Sequence, residues 1–321
     1  MNLRLSYLLM LYAILPVAVV IALMDKLFWN HSVLVAIPFR PESWLIWIYL
    51  FGMPHVVGGM QMFADSEYLQ KYGWRMARIF AFFLALPVVL SYMLGEKAVF
   101  FVFVAMIVYH TIAQQLGLTL AALKRGPDVY FYVWKWSMFG LSVIIYLMMY
   151  WTPMPLVFMD ESFRSPLMLM AAMLMTGVVV SAGCLMWKNR GNGFGVFYVF
   201  ANMVLIGTEF YLFSEGYYLF VVVVGRVIHE FTAWPIYMVH DHNRNVAGGK
   251  NWIFGLFRGV LPQGVLTLVV AFGVGIALTY MLSSVPLLAS VLVSLSLYHY
   301  YTESFLWRKE SLLRRNVAFV P

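Results

Sequence analysis

Charge is what this sequence has least of. Only 11% of its 321 residues are Asp, Glu, Lys or Arg, where a soluble domain carries about 25%. That scarcity excludes one large or two ordinary soluble domains, which the length alone would fit. Cysteine is nearly missing, with Cys184 standing alone. One thiol excludes an internal disulfide framework, a thiolate-rich metal site and an iron–sulfur cluster. No fixed-period repeat and no low-complexity linker interrupts the chain. The first apolar run has no A-x-A-like site at its end, so it reads as a retained helix rather than a cleaved signal.

What is present is apolar. Hydrophobic residues make up 63% of the chain, and the mean hydropathy is +0.82. Ten stretches of about 20 apolar residues would take up roughly two thirds of the length. The runs are continuous rather than alternating, which excludes a transmembrane β-barrel. The reading is an all-α, polytopic integral membrane bundle, with residues 1–321 as one transmembrane domain. The expected spans are 5–24, 44–63, 76–95, 98–123, 129–152, 166–187, 194–213, 217–240, 253–281 and 286–306. Pro and Gly punctuate the joints, as at Pro38, Pro41, Pro127, Pro153, Pro155 and Gly248.

The net charge of +7 is a topology code and not a nucleic-acid footprint. Lys and Arg in the loops and at the span ends beside them fall 14 to one side and 4 to the other. Such an asymmetry supports ten spans with both termini in the cytoplasm, the expected location being a bacterial inner membrane. Lys135 and Arg258 lie near cytoplasmic ends and can snorkel. Trp44, Trp47, Tyr146, Tyr150, Trp151, Tyr217 and Tyr218 cluster near span ends, as an interfacial aromatic belt does.

Ionisable groups inside spans are costly, so each needs a reason. Four of the seven histidines fall inside expected spans: His55, His110, His229 and His299. All four spans are even-numbered and run from outside to inside. Counted from the outer start of each span, the histidines stand 11, 12, 12 and 13 residues in. At about 1.5 Å per residue they share a level to within about 3 Å. Imidazole is the commonest protein metal ligand, and four at one depth can close around one ion or share two. With no thiolate set, iron, copper or zinc are the metals this donor type suits. Met53, Met60 and Met62 near His55 fit a copper path, although methionines mostly fill gaps in helix packing.

The neighbours extend the pattern. Gln114 is four residues after His110, and Glu303 is four after His299, so each shares a face with its histidine. Arg226 and Glu230 stand four apart around His229, a spacing that makes a buried Arg tolerable. Asn202 of span 7 sits close to the histidine level. Gln114, Asn202, Glu230 and Glu303 are therefore expected to orient imidazoles or to add ligands, the plain alternative being helix–helix hydrogen bonds. A second polar cluster, His240-Asp241-His242-Asn243-Arg244, closes span 8 about 16 Å further along the helix. Asp65 and Glu67 can face it, as a cytoplasmic metal or proton-entry site. Its plain reading is a solvated helix end.

Two stretches carry a resemblance. One runs Gly52-Met53-Pro54-His55-Val56-Val57-Gly58-Gly59 and continues to Asp65. The other runs Ala233-Trp234-Pro235-Ile236-Tyr237-Met238-Val239-His240 and continues to Arg244. Together they resemble the Brp/Blh family of membrane β-carotene cleavage dioxygenases. The resemblance covers about 40 of the 321 residues. It implies a polytopic bacterial protein holding iron through histidines on several helices. The chain departs from that family in having no H-x-x-x-H, and the same lack sets it apart from membrane desaturases and hydroxylases.

Three functions fit these residues. The first is a metal-dependent membrane oxidoreductase of oxygenase type, acting on a lipophilic small molecule that arrives through membrane lipid. The second is a b-type haem electron carrier. The third is a transporter or proton pathway. A redox partner or a larger membrane complex is compatible with each.

Overall fold

The computed structural model describes residues 1–37, 52–150, 164–249, 251–257, 261–283, 286–308 and 310–321. Pro38, Pro41, Trp44, Trp47, Trp151, Pro153, Pro155 and Arg258 lie outside the described residues. The elements are β1 (Asn2–Arg4), α1 (Leu5–Leu27, with a 3-10 turn at Leu11–Ala13), α2 (Ser32–Ala36), α3 (Met53–Met60), α4 (Ser66–Leu94), α5 (Glu96–Leu123) and α6 (Val129–Met149). Then follow α7 (Arg164–Lys188), α8 (Gly193–Ser214), α9 (Tyr218–Val246), α10 (Trp252–Leu256), α11 (Gln263–Ser283), α12 (Pro286–Leu306), α13 (Leu312–Asn316) and β2 (Ala318–Val320).

The fold is all-α apart from one short strand pair, and it is that of an integral membrane protein. Eight described helices are long and apolar enough to cross a membrane: α1, α4, α5, α6, α7, α8, α9 and α11. The stretch read as span 2 differs within its described part. It is a short helix of eight residues, α3, followed by one 3-10 turn. Gly52 precedes it and Pro54 occupies its first turn, where a missing N–H costs nothing. Span 3 also differs, because α4 starts ten residues before the expected boundary. Asp65 caps it, its carboxylate accepting from the Glu67 N–H at 2.9 Å. A side-chain cap satisfies an N–H that the helix itself leaves open. Asp128, Asn192, Asn251 and Ser311 begin α6, α8, α10 and α13 in the same way. Pro235 lies inside α9, which stays one continuous helix of 29 residues.

The chain divides into two compact units, each built from separate segments. The first gathers Met1–Arg4, Trp44–Met106 and Glu230–Val320, and the second gathers Leu5–Ser43, Ile107–His229 and Pro321. In the first unit α3 packs along α11, and α12 packs against α4, α11 and α3. Gly275 of α11 makes the α3 contact, since a Cβ there would stand 2.5 Å from the Pro54 nitrogen. Backbones approach this closely in membranes where residues are small. β1 and β2 pair in parallel, Asn2 opposite Ala318 and Arg4 opposite Val320. Asn243 ties down this pair by donating to the Met1 and Asn316 carbonyls, each at 2.7 Å.

In the second unit α7 packs on α6, and α8 packs on α7, α6 and α1. Asp25 at the end of α1 caps α2 through the Val33 and Leu34 N–H groups at 2.8 and 2.9 Å. Tyr217, expected in an interfacial belt, is instead fully buried and donates to Asp25 at 2.8 Å. Lys135 donates to the Tyr109 hydroxyl at 3.0 Å, its ammonium lying 4.5 Å from that ring's centre.

Candidate metal centre

The first unit assembles a buried histidine–carboxylate group from three elements. α3 supplies His55, α9 supplies Glu230, and α12 supplies His299 and Glu303. None is more than 2% exposed. The His55 and His299 rings stand edge to face with centroids 4.8 Å apart. One ligand atom each from His55, His299 and Glu303 lies within 4.8 Å of the others. His55 Nδ1 is 3.3 Å from Glu230 Oε2, and His299 Nε2 is 4.0 Å from Glu303 Oε1. Two ligands held at 2.0–2.1 Å in a tetrahedral shell stand about 3.3–3.4 Å apart. The donor atoms are thus spaced as a small divalent ion needs, or within about 1.5 Å of it. Buried carboxylates are costly unless matched by positive charge and hydrogen bonds. Two carboxylates with neutral imidazoles offset the two charges of such an ion.

A shell of aromatic groups holds this constellation. Tyr237 of α9 donates its hydroxyl to Glu303 Oε1, and its ring lies 5.8 Å from that of His55. Trp234 meets His55 edge-on at 6.3 Å and stacks on Phe272 at 5.2 Å. Gly59 explains why the sequence carries glycines after His55. A Cβ there would stand 2.6 Å from His299 Cε1 and 2.9 Å from the Tyr237 hydroxyl. Met53 and Met62 are buried nearby.

The second unit holds the other two intramembrane histidines. His110 of α5 and His229 of α9 are buried with ring centroids 4.7 Å apart. Gln114 accepts from Gln115 at 3.4 Å. Asn202 belongs to a neighbouring network, where the Tyr12 hydroxyl lies 2.9 Å from Asn202 and 3.0 Å from Gln115. Asn202 also donates to Thr119 at 3.1 Å. Arg226 lines a mostly apolar cavity together with Glu209, Gln115, Asn202 and Ser142.

Glu209 was not singled out from sequence, although it is a buried carboxylate inside a span. Ser142 reaches it at 3.5 Å, and Gly225 leaves room for it. The signal that finds it is the one applied to the histidines, an ionisable residue in an apolar run. In both units the paired imidazole rings are in contact. A bis-histidine haem sets its macrocycle between the two rings, so either pair would have to separate to hold one.

The polar cluster at the end of α9 is also assembled within the first unit. His240 Nδ1 lies 2.8 Å from Asp241 and its Nε2 lies 2.7 Å from the Tyr68 hydroxyl. Thr267 donates to the other Asp241 oxygen at 2.8 Å. Arg244 grips Asp65 with two bonds, of 2.9 and 3.1 Å, and also reaches Glu67. Burial raises the Asp65 pKa, but the bonds from Arg244 and the Glu67 N–H outweigh it, and the carboxyl ends below its ordinary value. His242 is half-buried. The cluster read as a solvated helix end is therefore largely buried.

Comparison with known proteins finds no match among family models, curated proteins or solved structures.

Proposed function

We propose that this chain is a metal-dependent membrane oxidoreductase of oxygenase type, acting on a lipophilic substrate. The observation that carries the reading is the buried group of His55, His299 and Glu303, with Glu230 beside His55. Two imidazoles and a carboxylate with positions left open are the donor set of non-haem iron(II) oxygenases. Iron is the proposed metal, with zinc and copper as the alternatives imidazole accepts. It would supply the binding and reduction of O2. The chain's own residues hold and orient it: Tyr237 fixes the Glu303 carboxylate, and Trp234 and Phe272 exclude water. His110 and His229, which sequence depth groups with them, lie in the second unit, where their own rings are 4.7 Å apart. A lipophilic substrate, as the Brp/Blh resemblance implies, reaches a site on membrane helices without crossing water. Electrons would come from a redox partner or a larger membrane complex.

Metal analysis and a visible spectrum of the purified protein test this. Near-stoichiometric iron without a Soret band is the expected result. A Soret band replaces the reading with a haem electron carrier. No bound metal replaces it with a transporter or proton pathway, which the cavity beside Glu209 and Arg226 favours independently.

The proposed topology is ten spans in a bacterial inner membrane with both termini cytoplasmic. The β1–β2 pairing supports it, because strands that pair lie on one side and an even number of crossings must separate them. Reporter fusions after Lys124 and after Arg190 are expected to read cytoplasmic, and one near Pro155 periplasmic. Reversed signals overturn the orientation.

A further inference from the structure

We propose that Tyr68 is a redox-active tyrosine that gives up one electron while its phenolic proton crosses to His240. The geometry is specific. Asp241 as a carboxylate only accepts hydrogen bonds, so the His240 proton sits on Nδ1, 2.8 Å from Asp241. That leaves the Nε2 lone pair facing the Tyr68 hydroxyl at 2.7 Å, and Tyr68 must be the donor. Thr267 holds the second Asp241 oxygen and so fixes the carboxylate. Tyr68 is 0% and His240 1% exposed, so no bulk water competes to take the proton.

The step balances. The phenolic O–H bond breaks, its proton binds His240 Nε2, and one electron passes to a high-potential metal complex at the protein surface, which is reduced by one electron. The products are a neutral tyrosyl radical and an imidazolium paired with the Asp241 carboxylate. In a dry interior an unaccompanied phenol radical cation or imidazolium is costly; here the proton moves about one hydrogen-bond length and the new charge lands beside a carboxylate. Return of the electron sends the proton back.

The electron has a path. The Tyr72 ring is 6.0 Å from Tyr68, and Phe305 is 5.2 Å from Tyr72. Tyr72 is half-buried and Arg75, exposed, covers Phe305 at 4.3 Å. The aromatic row therefore runs from the Tyr68–His240 pair to the surface of the first unit. None of His55, Glu230, His299 or Glu303 takes part, so the inference stands apart from the proposed metal centre.

The test uses the full chain in liposomes after chelator treatment, so that no metal contributes. Photogenerated tris-bipyridine ruthenium(III) serves as the oxidant, and electron paramagnetic resonance reads the radical. The wild-type chain is expected to give a tyrosyl signal that narrows when its tyrosines are deuterated. Tyr68→Phe and His240→Gln are each expected to lose it. A wild-type signal in either variant overturns the proposal. Where Tyr68→Phe fails to fold, 3,5-difluorotyrosine placed at position 68 keeps the shape and the hydroxyl. The signal must then take on fluorine hyperfine structure, and an unchanged spectrum places the radical on another tyrosine and overturns the assignment.

Discussion

If the proposed metal centre is right, replacing His299 by alanine is expected to strip most of the iron from the protein while its helices stay in the membrane. His299 is fully buried and touches His55, Glu303 and Gly59. Loss of a residue that merely supports a ligand lowers metal affinity about 10–100-fold. Loss of a ligand from this group is expected to cost at least that. His55→Ala removes a donor from a different helix and is expected to match it. His31→Asn is the control. His31 sits between α1 and α2 with φ 59°, a conformation asparagine tolerates. Iron per chain after dialysis against a chelator is the readout. Wild-type iron content in His299→Ala and His55→Ala would sink the metal reading, because the two share only this group.

The second large effect concerns packing. Gly275→Ala puts a methyl 2.5 Å from the Pro54 nitrogen and 2.6 Å from its Cα. The obstacle is backbone, which cannot swing aside as a flexible side chain does. Overpacking typically costs about 1–3 kcal/mol, and a rigid neighbour puts this site at the upper end. The strain falls on α3 at Pro54, the residue directly before His55, so affinity for the proposed metal is expected to fall along with thermal stability. Gly273→Ala is the internal comparison, being in the same helix with nothing within 4 Å. Near-ultraviolet circular dichroism melts of both variants in detergent separate the outcomes. Equal melting temperatures for the two would show that α3 does not depend on this contact.

Much of the fold was legible because the cost of burying a group is a property of that residue alone. Long apolar runs with few charges specify membrane helices wherever they fold, and α5, α7 and α8 lie close to where the runs predict. Intramembrane histidines could be picked out for the same reason. Helix starts were less legible. Asp65 reads as the polar end of span 2, yet its carboxylate caps α4 and holds Arg244 from 179 positions away. A cap depends on local backbone geometry, which hydropathy does not record.

Which polar groups meet was decided by tertiary structure. Sequence spacing paired Glu230 with Arg226 and Glu303 with His299, because only neighbours on one helix are visible to it. The structure sets Glu230 against His55, 3.3 Å away across 175 positions, and sets Tyr237 on Glu303. It likewise buries His240 and Asp241 against Tyr68 and Thr267 instead of leaving them in solvent. Helices that are apolar nearly all round carry no stripe to say which face turns inward. The sequence alone therefore determined that this is a helical membrane protein with histidines and carboxylates at depth. Only close packing decided their partners, with the His299 and Tyr237 side chains against Gly59 and the Pro54 backbone against Gly275, since facing and register between helices are set by packing and not by the period of any one of them.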